Sequence, residues 1–208
     1  MKPYFDRGGI RIYHGDYRDV EVEILPVGMI PRDRHVLVAD PPYGLGDKWD
    51  GGTWADDPMY SEAKKWDVRV PDADLLALVG RAGQSIVWGG NYYALPPSRC
   101  WLAWVKSDKM ETMADLELAW TSLDQPAKYW ASHRRAVGPR SHPTQKPLGL
   151  MTWCLGLLGE GLVFDPFMGS GTTLRAAKDC GRLAVGCDLS EKYCEIAARR
   201  LDQEVLFA

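Results

Sequence analysis

Apolar and polar positions alternate along the chain with two periods, so the sequence predicts both strands and helices. Apolar or alternating runs typical of strands occupy residues 9–14, 36–39, 84–88, 161–165 and 183–187. Apolar residues at helical spacing occupy residues 72–81, 147–158, a stretch that ends near 179, and 190–201, with Ser190 as a cap. Strands that alternate with helices in this way predict an α/β, doubly wound, mostly parallel Rossmann-like sheet with helices on both faces.

Three further segments have a different character. Residues 100–106 and 116–121 are typical of consecutive strands, and we expect them to pair as a hairpin across a polar linker. Residues 44–71 are rich in Gly, Trp and Asp, with a short helical possibility at 58–66, and we interpret them as a lid or substrate-contacting loop. Residues 123–143 have no convincing periodicity and are expected to form a loop.

Length and composition indicate the class of protein. The 208 residues are expected to form a single domain, 1–208. We find no apolar stretch of signal-peptide or membrane-span length, so we expect a cytoplasmic protein that does not bind a membrane. The five cysteines are scattered, without a C-x-x-C pair or a histidine at metal-ligand spacing, which indicates reduced, mostly buried thiols and no metal.

Charge is distributed unevenly along the sequence. A net charge of -3 argues against a strongly basic surface that binds nucleic acid non-specifically, so a polyanion would have to meet a local patch. The stretch 125–159 contains no acidic residue, and its basic residues include Lys128, Arg134, Arg135 and Arg140. This segregation is compatible with contacts to DNA phosphates. A solvated loop is the alternative interpretation.

The tetrapeptide Asp40-Pro41-Pro42-Tyr43 follows the predicted strand 36–39 directly. The prolines end the strand, so a carboxylate, backbone carbonyls and an aromatic ring are expected together at a sheet edge. Asp40 and the Pro41 carbonyl could accept the two N–H groups of an aromatic exocyclic amine and draw its nitrogen toward tetrahedral geometry. Tyr43 would stack on the base. An ordinary strand-to-loop turn is the alternative.

A second candidate site is the turn that contains Gly169 and Gly171, between the strand 161–165 and the next helix. The glycines would let a ligand approach the backbone closely, and Asp188, at the end of the next strand, is placed to bind a ribose diol. The turn lacks the third glycine of a dinucleotide fingerprint and the Gly-Lys-Ser/Thr of a P-loop. A nucleoside cofactor without phosphates fits better, and a purely structural helix start is the alternative.

Three motifs together resemble the exocyclic-amino DNA methyltransferases, which use S-adenosylmethionine. They are DPPY at 40–43, HPTQKP at 142–147 and DPFMGSGTT at 165–173. Their order is similar to the circularly permuted beta class of that family. Residues 87–93, followed by 100–106 and 116–122, also resemble its compact, often phage-borne members. The resemblance covers nearly the whole chain and implies a permuted methyltransferase sheet with one antiparallel hairpin strand.

The resemblance also implies a role for particular residues. Those around the cofactor would be Asp16, Thr144, Lys146, Asp165, Phe167, Gly169, Ser170, Gly171, Thr172 and Asp188. Thr144 and Lys146 would face the cofactor carboxylate, and Asp165 its amino group. Asp188 would hold the ribose hydroxyls, and Asp16 would lie near the adenine. The target base, rotated out of the duplex, would bind at 40–43.

We therefore predict methyl transfer from S-adenosylmethionine to N6 of adenine in DNA, because D-P-P-Y is more typical of adenine enzymes in this family. The alternatives are N4 of cytosine, an RNA methyltransferase, or a non-catalytic cofactor-binding subunit. Larger relatives carry a target-recognition domain where this chain has only about 124–141. Sequence readout would then be weak, or would come from the 44–71 loop or from the second subunit of a homodimer.

Overall fold

Nine strands and five α-helices make up the part of the chain that the structure describes. This computed structural model describes residues 1–24, 35–45, 67–108, 114–133, 136 and 145–203. The strands are β1 (Phe5–Arg7), β2 (Ile10–His14), β3 (His35–Ala39), β4 (Gln84–Trp88), β5 (Trp101–Lys106), β6 (Leu116–Thr121), β7 (Lys128–Ser132), β8 (Leu162–Asp165) and β9 (Ala184–Asp188). The helices are α1 (Tyr17–Ile24), α2 (Asp72–Arg81), α3 (Leu148–Leu157), α4 (Thr172–Asp179) and α5 (Glu191–Asp202), and a 3-10 turn spans Gly90–Tyr92.

All nine strands form one mixed sheet in the order β1-β2-β9-β8-β3-β4-β6-β5-β7. The pairs β2–β9, β9–β8, β8–β3, β3–β4 and β5–β7 are parallel. Strand β6 runs antiparallel to both β4 and β5, and β1 runs antiparallel to β2. The predicted β5–β6 hairpin and the mostly parallel α/β sheet are therefore confirmed. Strand β8, from late in the chain, lies beside β3, from early in it, as expected of a permuted chain.

The central strands are buried on both faces. In β3, Val36 and Val38 belong to one hydrophobic cluster and Leu37 and Ala39 to another. Helices α3, α4 and α5 contribute to the first cluster, and α1 and α2 to the second. Each fully buried Val or Leu side chain contributes roughly 1.5–3 kcal/mol, which explains why these strands are continuous apolar runs. The prediction of helices on both faces is confirmed.

The expectation that residues 123–143 form a loop is wrong for β7. This strand pairs in parallel with β5 and forms an edge of the sheet. Lys128 and Tyr129 are exposed, while Trp130 packs beside Gly149 at the start of α3. An edge strand with one apolar contact has little local signal, because its stability comes from long-range pairing.

Strand β1 and helix α1 were also absent from the sequence prediction. Helix α1 begins directly after Asp16, whose carbonyl accepts the N–H groups of Asp19 and Val20. Half of its eight residues are charged, and Val20, Val22 and Ile24 alternate with glutamates as in a strand, so the helical period is hidden. Ser190 does occupy the N-cap of α5, but its side chain makes no capping hydrogen bond. Its backbone N–H donates to the Asp188 carboxylate at a distance of 2.8 Å.

The predicted lid, 44–71, falls largely outside the described residues, which omit 46–66. At its described ends, the Asp67 carboxylate accepts the N–H of Gly44 at 2.9 Å and of Leu45 at 2.8 Å. The two ends are thus tied together next to Tyr43. Of the five free cysteines, only Cys180 is exposed. Among the described helices, none has the length and apolarity needed to cross a membrane.

Candidate active site

Four strands that are adjacent in the sheet each end at an aspartate. In sheet order, β2 is followed by Asp16, β9 ends at Asp188, β8 ends at Asp165, and β3 is followed by Asp40. These strands are parallel, so their carboxyl ends meet at one edge, which is where ligands bind in open α/β sheets. The fold therefore brings both sequence-predicted sites, the tetrapeptide and the glycine turn, to the same edge.

Two of these aspartates shape the glycine turn. The Asp165 carboxylate accepts the N–H of Phe167 at 3.0 Å, and the Asp188 carboxylate accepts the N–H of Gly169 at 3.1 Å. Gly169 has a φ of 49°, in the left-handed region that favours glycine. The turn is thus held between the ends of β8 and β9. The structure adds this backbone role to the ligand-binding roles predicted for both acids.

Arg200 of α5 holds the other side of the turn. Its guanidinium donates to the Ser170 carbonyl at 2.7 Å, to the Ser170 Oγ at 2.9 Å and to the Thr172 Oγ1 at 3.3 Å. A Cβ on Gly171, whose φ is 76°, would lie 2.7 Å from the Ala197 Cβ, so only glycine allows α5 to pack this closely. Sequence reasoning missed Arg200, because a surface-type residue in an amphipathic helix has no distinguishing local signal.

Asp165 is almost completely buried, with 3% of its surface exposed. The pKa of Asp165 is raised to about 7, chiefly by burial and with a smaller contribution from the carboxylates of Asp40 and Asp188, against the lowering effect of its hydrogen bonds. A buried acid beside other acids favours a cationic ligand, since a positive charge relieves both the desolvation and the repulsion. The edge is therefore suited to a cation.

Aromatic rings lie next to this cluster of acids. The Tyr17 ring meets the Phe167 ring edge-on, with centroids 5.1 Å apart, and the Tyr17 hydroxyl donates to Asp74 at 3.0 Å. Arg18 bridges Asp16 at 2.9 Å and Asp74 at 2.6 Å. The predicted residues Asp16 and Phe167 thus share one corner of the edge. Tyr17 is a further candidate for contact with a ligand, and the sequence did not indicate it.

The tetrapeptide after β3 has one acceptor that no described residue occupies. The Tyr93 hydroxyl donates to the Pro42 carbonyl, whereas no donor among the described residues reaches the Pro41 carbonyl. The Tyr43 hydroxyl donates to Oδ1 of Asp40 at 2.6 Å. The Pro41 carbonyl and the Asp40 carboxylate therefore remain as acceptors for an amine.

Tyr43 is itself stacked in the structure. Its ring lies 4.9 Å from the Tyr92 ring, at an interplanar angle of 19°. Burial, followed by the charge of Asp40, raises the pKa of Tyr43 well above its ordinary value, so the phenol remains a donor. Tyr92 is 43% exposed and covers one face of Tyr43.

Lys146, predicted to face the carboxylate of a cofactor, contacts the tetrapeptide in the structure. Its Nζ contacts Oδ2 of Asp40 at 2.6 Å, and 5% of its surface is exposed. The preceding Gln145 contacts the Ser170 hydroxyl at 3.3 Å, so this segment joins the tetrapeptide to the glycine turn. Thr144, also predicted at the cofactor, lies outside the described residues.

The predicted DNA-binding residues are only partly described. Lys128 is exposed at the start of β7, which lies four strands from β3, a separation of about 19 Å at ordinary strand spacing. Arg134, Arg135 and Arg140 lie outside the described residues. Within the described ranges no group of three His, Cys, Asp or Glu side chains could hold a metal ion.

Comparison with known proteins gives one family match. The family model described as N6_N4_Mtase, DNA methylase, matches residues 96–199, half of the chain. The chain is 25% identical to the type II methyltransferase M.ScaI of Streptomyces caespitosus, over 98% of this chain and 84% of that protein. It is 41% identical to the type II methyltransferase M2.DpnII of Streptococcus pneumoniae, but over only 41% of this chain and 30% of that one.

Solved structures share the fold. The M1.HpyAVI complex with S-adenosylmethionine aligns over 93% of this chain and all of its own, with 19% identity and a TM-score of 0.55. The cytosine-N4-specific PvuII DNA methyltransferase aligns over 100% of this chain and 91% of its own, with 16% identity and a TM-score of 0.58. At this level of identity the likeness concerns the arrangement of the sheet and helices.

Proposed function

Since the chain belongs to the N6/N4 family of DNA methylases, we propose that it transfers a methyl group from S-adenosylmethionine to the N6 amino group of adenine in DNA. The chemistry common to the family is methylation of an exocyclic amine, at N6 of adenine or N4 of cytosine, and the cofactor is S-adenosylmethionine. One observation carries the proposal. The two acceptors, the Asp40 carboxylate and the Pro41 carbonyl, follow β3, and the glycine turn follows β8, the neighbouring strand in the sheet.

The residues present at the sheet edge fit this cofactor. It supplies an electrophilic methyl group on a sulfonium, and it also carries an ammonium group, so the acidic edge suits its positive charges. We assign its ammonium to Asp165 and its ribose hydroxyls to Asp188. The pair Tyr17 and Phe167 would contact the adenine, next to Asp16.

Asp40 and Pro41 would act on the target amine. Their oxygens would each accept one N–H, which localises the nitrogen lone pair toward the methyl carbon. The cofactor would supply the methyl group and keep the electron pair of its carbon–sulfur bond, while Asp40 and Pro41 would hold the amine until its nitrogen, once methylated, released one proton to water. The aspartate contributes most in the transition state, when positive charge develops on the nitrogen.

The target base would stack on Tyr43 after rotation out of the duplex. We place the base where Tyr92 stacks in the structure, because Tyr92 is exposed and can move aside. Stacking on an aromatic side chain contributes about 1–3 kcal/mol per base. Adenine is preferred over cytosine in this proposal because the tetrapeptide is D-P-P-Y, the form more typical of adenine enzymes.

We further propose that Lys128, with Arg134, Arg135 and Arg140, contacts DNA phosphates beside the active-site edge. The chain would act as one domain, in which 124–141 serves as a reduced target-recognition segment and 44–71 as a lid. Recognition of the DNA sequence could also need the second subunit of a homodimer. Measuring DNA binding across the protein concentrations at which a dimer forms tests this.

Mass spectrometry of the product tests the function. Unmethylated genomic DNA and, separately, RNA would be incubated with S-adenosylmethionine carrying a deuterated methyl group, then digested to nucleosides. We expect labelled N6-methyldeoxyadenosine from DNA, and much less of it in the same time when Asp40→Ala is used. Labelled N4-methyldeoxycytidine would establish the cytosine alternative, and label confined to RNA or to C5 of cytosine would overturn the proposal.

A further inference from the structure

A chain of four ionisable side chains with alternating charge leads to Asp40. The Lys106 Nζ contacts Oε1 of Glu117 at 2.5 Å, and Oε2 of Glu117 lies 3.2 Å from the Lys146 Nζ. Lys146 in turn contacts Oδ2 of Asp40 at 2.6 Å. Both lysine side chains are buried, with 7% and 5% exposed for Lys106 and Lys146. The sequence predicts no role at the site for Lys106 or Glu117.

The side-chain alternation of the strands explains why these residues meet. Side chains two positions apart along a strand share a face of the sheet. The cluster packed against α3 contains Val38, Ala119 and Trp104. Two positions from these residues, in the same order, lie Asp40, Glu117 and Lys106. Lys146 precedes α3 and therefore enters from the helix that covers this face. The strand order β3-β4-β6-β5 then lines the charges up along the sheet.

Burial of this kind is stable only because each charge has a partner. Burial by itself would lower the pKa of Lys146, but the charges of Asp40 and Glu117 raise it above its ordinary value. Burial would raise the pKa of Glu117, but Lys146 and Lys106 lower it below its ordinary value. The Lys146 ammonium also lies 5.6 Å from the centroid of the Trp88 ring, a favourable position for a cation.

We infer that Lys146 is a positioning residue for methyl transfer, and that Glu117 and Lys106 hold it in place and keep it charged against Asp40. This inference rests on the proposed function. With Oδ2 bound to Lys146 and Oδ1 bound to the Tyr43 hydroxyl, the Asp40 carboxylate has a fixed orientation and a cation beside it. Its remaining lone pairs are then available to the amine, whose N–H groups bind a charged carboxylate more strongly than a neutral acceptor.

The other titratable groups around this contact are few. The groups that interact with Asp40 or Lys146 from the described elements come from several strands and one helix. They are Tyr43 after β3, Tyr93 after β4, Lys106 on β5, Glu117 on β6, Cys154 on α3, Asp165 on β8, and Asp188 on β9 through Asp165. Burial raises the pKa of the Cys154 thiol to about 12, so it does not titrate near neutrality. Asp165 does titrate there, and cofactor saturation is therefore needed in the test.

The pH dependence of the rate separates this inference from a purely structural role. Single-turnover methylation would be measured from pH 5 to 10 with saturating cofactor and DNA. Lys146→Met removes the cation between Asp40 and Glu117 and leaves Lys106 on the far side of Glu117, so we expect the acid limb of the profile to move up by about one to three pH units. Glu117→Gln leaves Lys146 with one acid and a neighbouring lysine, so we expect the basic limb to move down.

Matched variants complete the design. Lys146→Arg keeps the charge, and we expect its acid limb to stay at the wild-type pH even if the rate falls. Glu195→Gln removes an acid from the exposed pair with Arg199, 2.5 Å long, and should leave the profile unchanged. Cofactor affinity measured by calorimetry should change less than threefold in every variant. A uniform loss of rate at all pH values, with no limb displaced, would overturn the inference.

A measurement without DNA keeps the inference separate from the proposed function. The lysine ammonium signals would be followed by nitrogen-15 NMR in wild type and in Glu117→Gln. We expect Lys146 to lose its proton at clearly lower pH in Glu117→Gln, and identical titrations would overturn the inference whatever the product. If the titrations differ but wild type methylates neither adenine nor cytosine, the charge coupling is supported and the proposed function fails.

Discussion

Gly89 touches the ring of Tyr43 so closely that a Cβ at Gly89 would overlap the ring. Its φ of 67° is also in the left-handed region. Two features therefore require glycine at position 89: the left-handed backbone conformation, and the space that the Tyr43 ring occupies. Since Tyr43 donates to Asp40, the placement of this carboxylate, to which we assign catalysis, depends on the contact between neighbouring strand ends.

Gly89→Ala should displace Tyr43 and reduce turnover, because the new methyl group and the ring cannot share the space. The left-handed conformation alone costs about 1–2 kcal/mol for a residue other than glycine. Gly181→Ala is the matched control, because Gly181 has a φ of 68° and nothing within 4 Å of a Cβ. We expect similar losses of stability in the two variants by thermal unfolding, but a loss of turnover, tenfold or more, only for Gly89→Ala. Equal activities would contradict the proposed role of Tyr43.

Asp40→Ala should lower turnover by a factor on the order of 100 to 1,000, the usual effect of removing a preorganised hydrogen-bond partner of the transition state. Cofactor affinity should change little, because the carboxylate acts on the amine. Single-turnover kinetics and calorimetric titration measure the two quantities separately. Full activity in Asp40→Ala would defeat the mechanism.

Asp188→Ala should weaken S-adenosylmethionine binding roughly 10- to 150-fold, equivalent to about 1.5–3 kcal/mol for charge-assisted hydrogen bonds. The same carboxylate accepts the N–H of Gly169, so part of this loss could come from the turn. The demethylated cofactor and its analogue lacking the ribose 2′-hydroxyl would each be bound to wild type and to Asp188→Ala. This double cycle separates the contact with the ribose from the support of the turn. If the variant loses the same affinity for both ligands, the carboxylate supports only the turn.

Asp165 should make cofactor affinity pH-dependent near neutrality. Its pKa is raised to about 7, and the ionised form is the one that attracts the cofactor ammonium, so affinity should rise as pH increases through 7. Below pH 7 the dissociation constant should increase by up to about tenfold per pH unit. Calorimetry from pH 5.5 to 8.5 tests this, and Asp165→Asn should bind weakly with little dependence on pH in that range. A flat wild-type profile would show that Asp165 does not pair with the ligand.

The same acid should affect the stability of the ligand-free protein with a defined sign. The folded-state pKa lies above the unfolded value near 4, so the contribution of Asp165 is fully present below pH 4 and is lost as pH rises through about 7. Denaturant unfolding should show the free energy of unfolding of wild type falling relative to Asp165→Asn over this range, by up to about 4 kcal/mol. If the free energies of unfolding of wild type and Asp165→Asn change with pH in parallel, the carboxyl is not in a buried environment.

The basic residues of the segment 124–141, which we propose for target recognition, should determine the salt dependence of DNA binding. Replacing Lys128, Arg134, Arg135 or Arg140 by Gln should make the slope of log affinity against log salt shallower by about 0.9 for each phosphate that the side chain neutralises. Arg7→Gln removes one charge from β1, at the opposite edge of the sheet, and should leave the slope unchanged. Identical slopes for all variants would mean that the segment is solvated surface.

The sequence alone was sufficient for most strands, the hairpin and the acids at the strand ends. Apolar period and turn residues are local properties, and both Asp40 and Asp165 directly follow or end apolar runs whose pattern is unambiguous. The glycine turn was recognisable for the same reason, since Gly169 and Gly171 lie between a strand and a helix. Strand β7 was missed because its pairing with β5, and not its composition, makes it a strand.

Only the tertiary structure decided which side chains meet. Lys146 is 106 residues from Asp40 in sequence, and Arg200 is 30 residues from Ser170, yet each pair is in contact. Periodicity assigns a residue to a face of the sheet, but the neighbours on that face depend on the strand order. Here that order places β8 beside β3 and β6 beside β4, and the resulting burial forces Lys146 and Glu117 to pair, because neither charge could remain there alone.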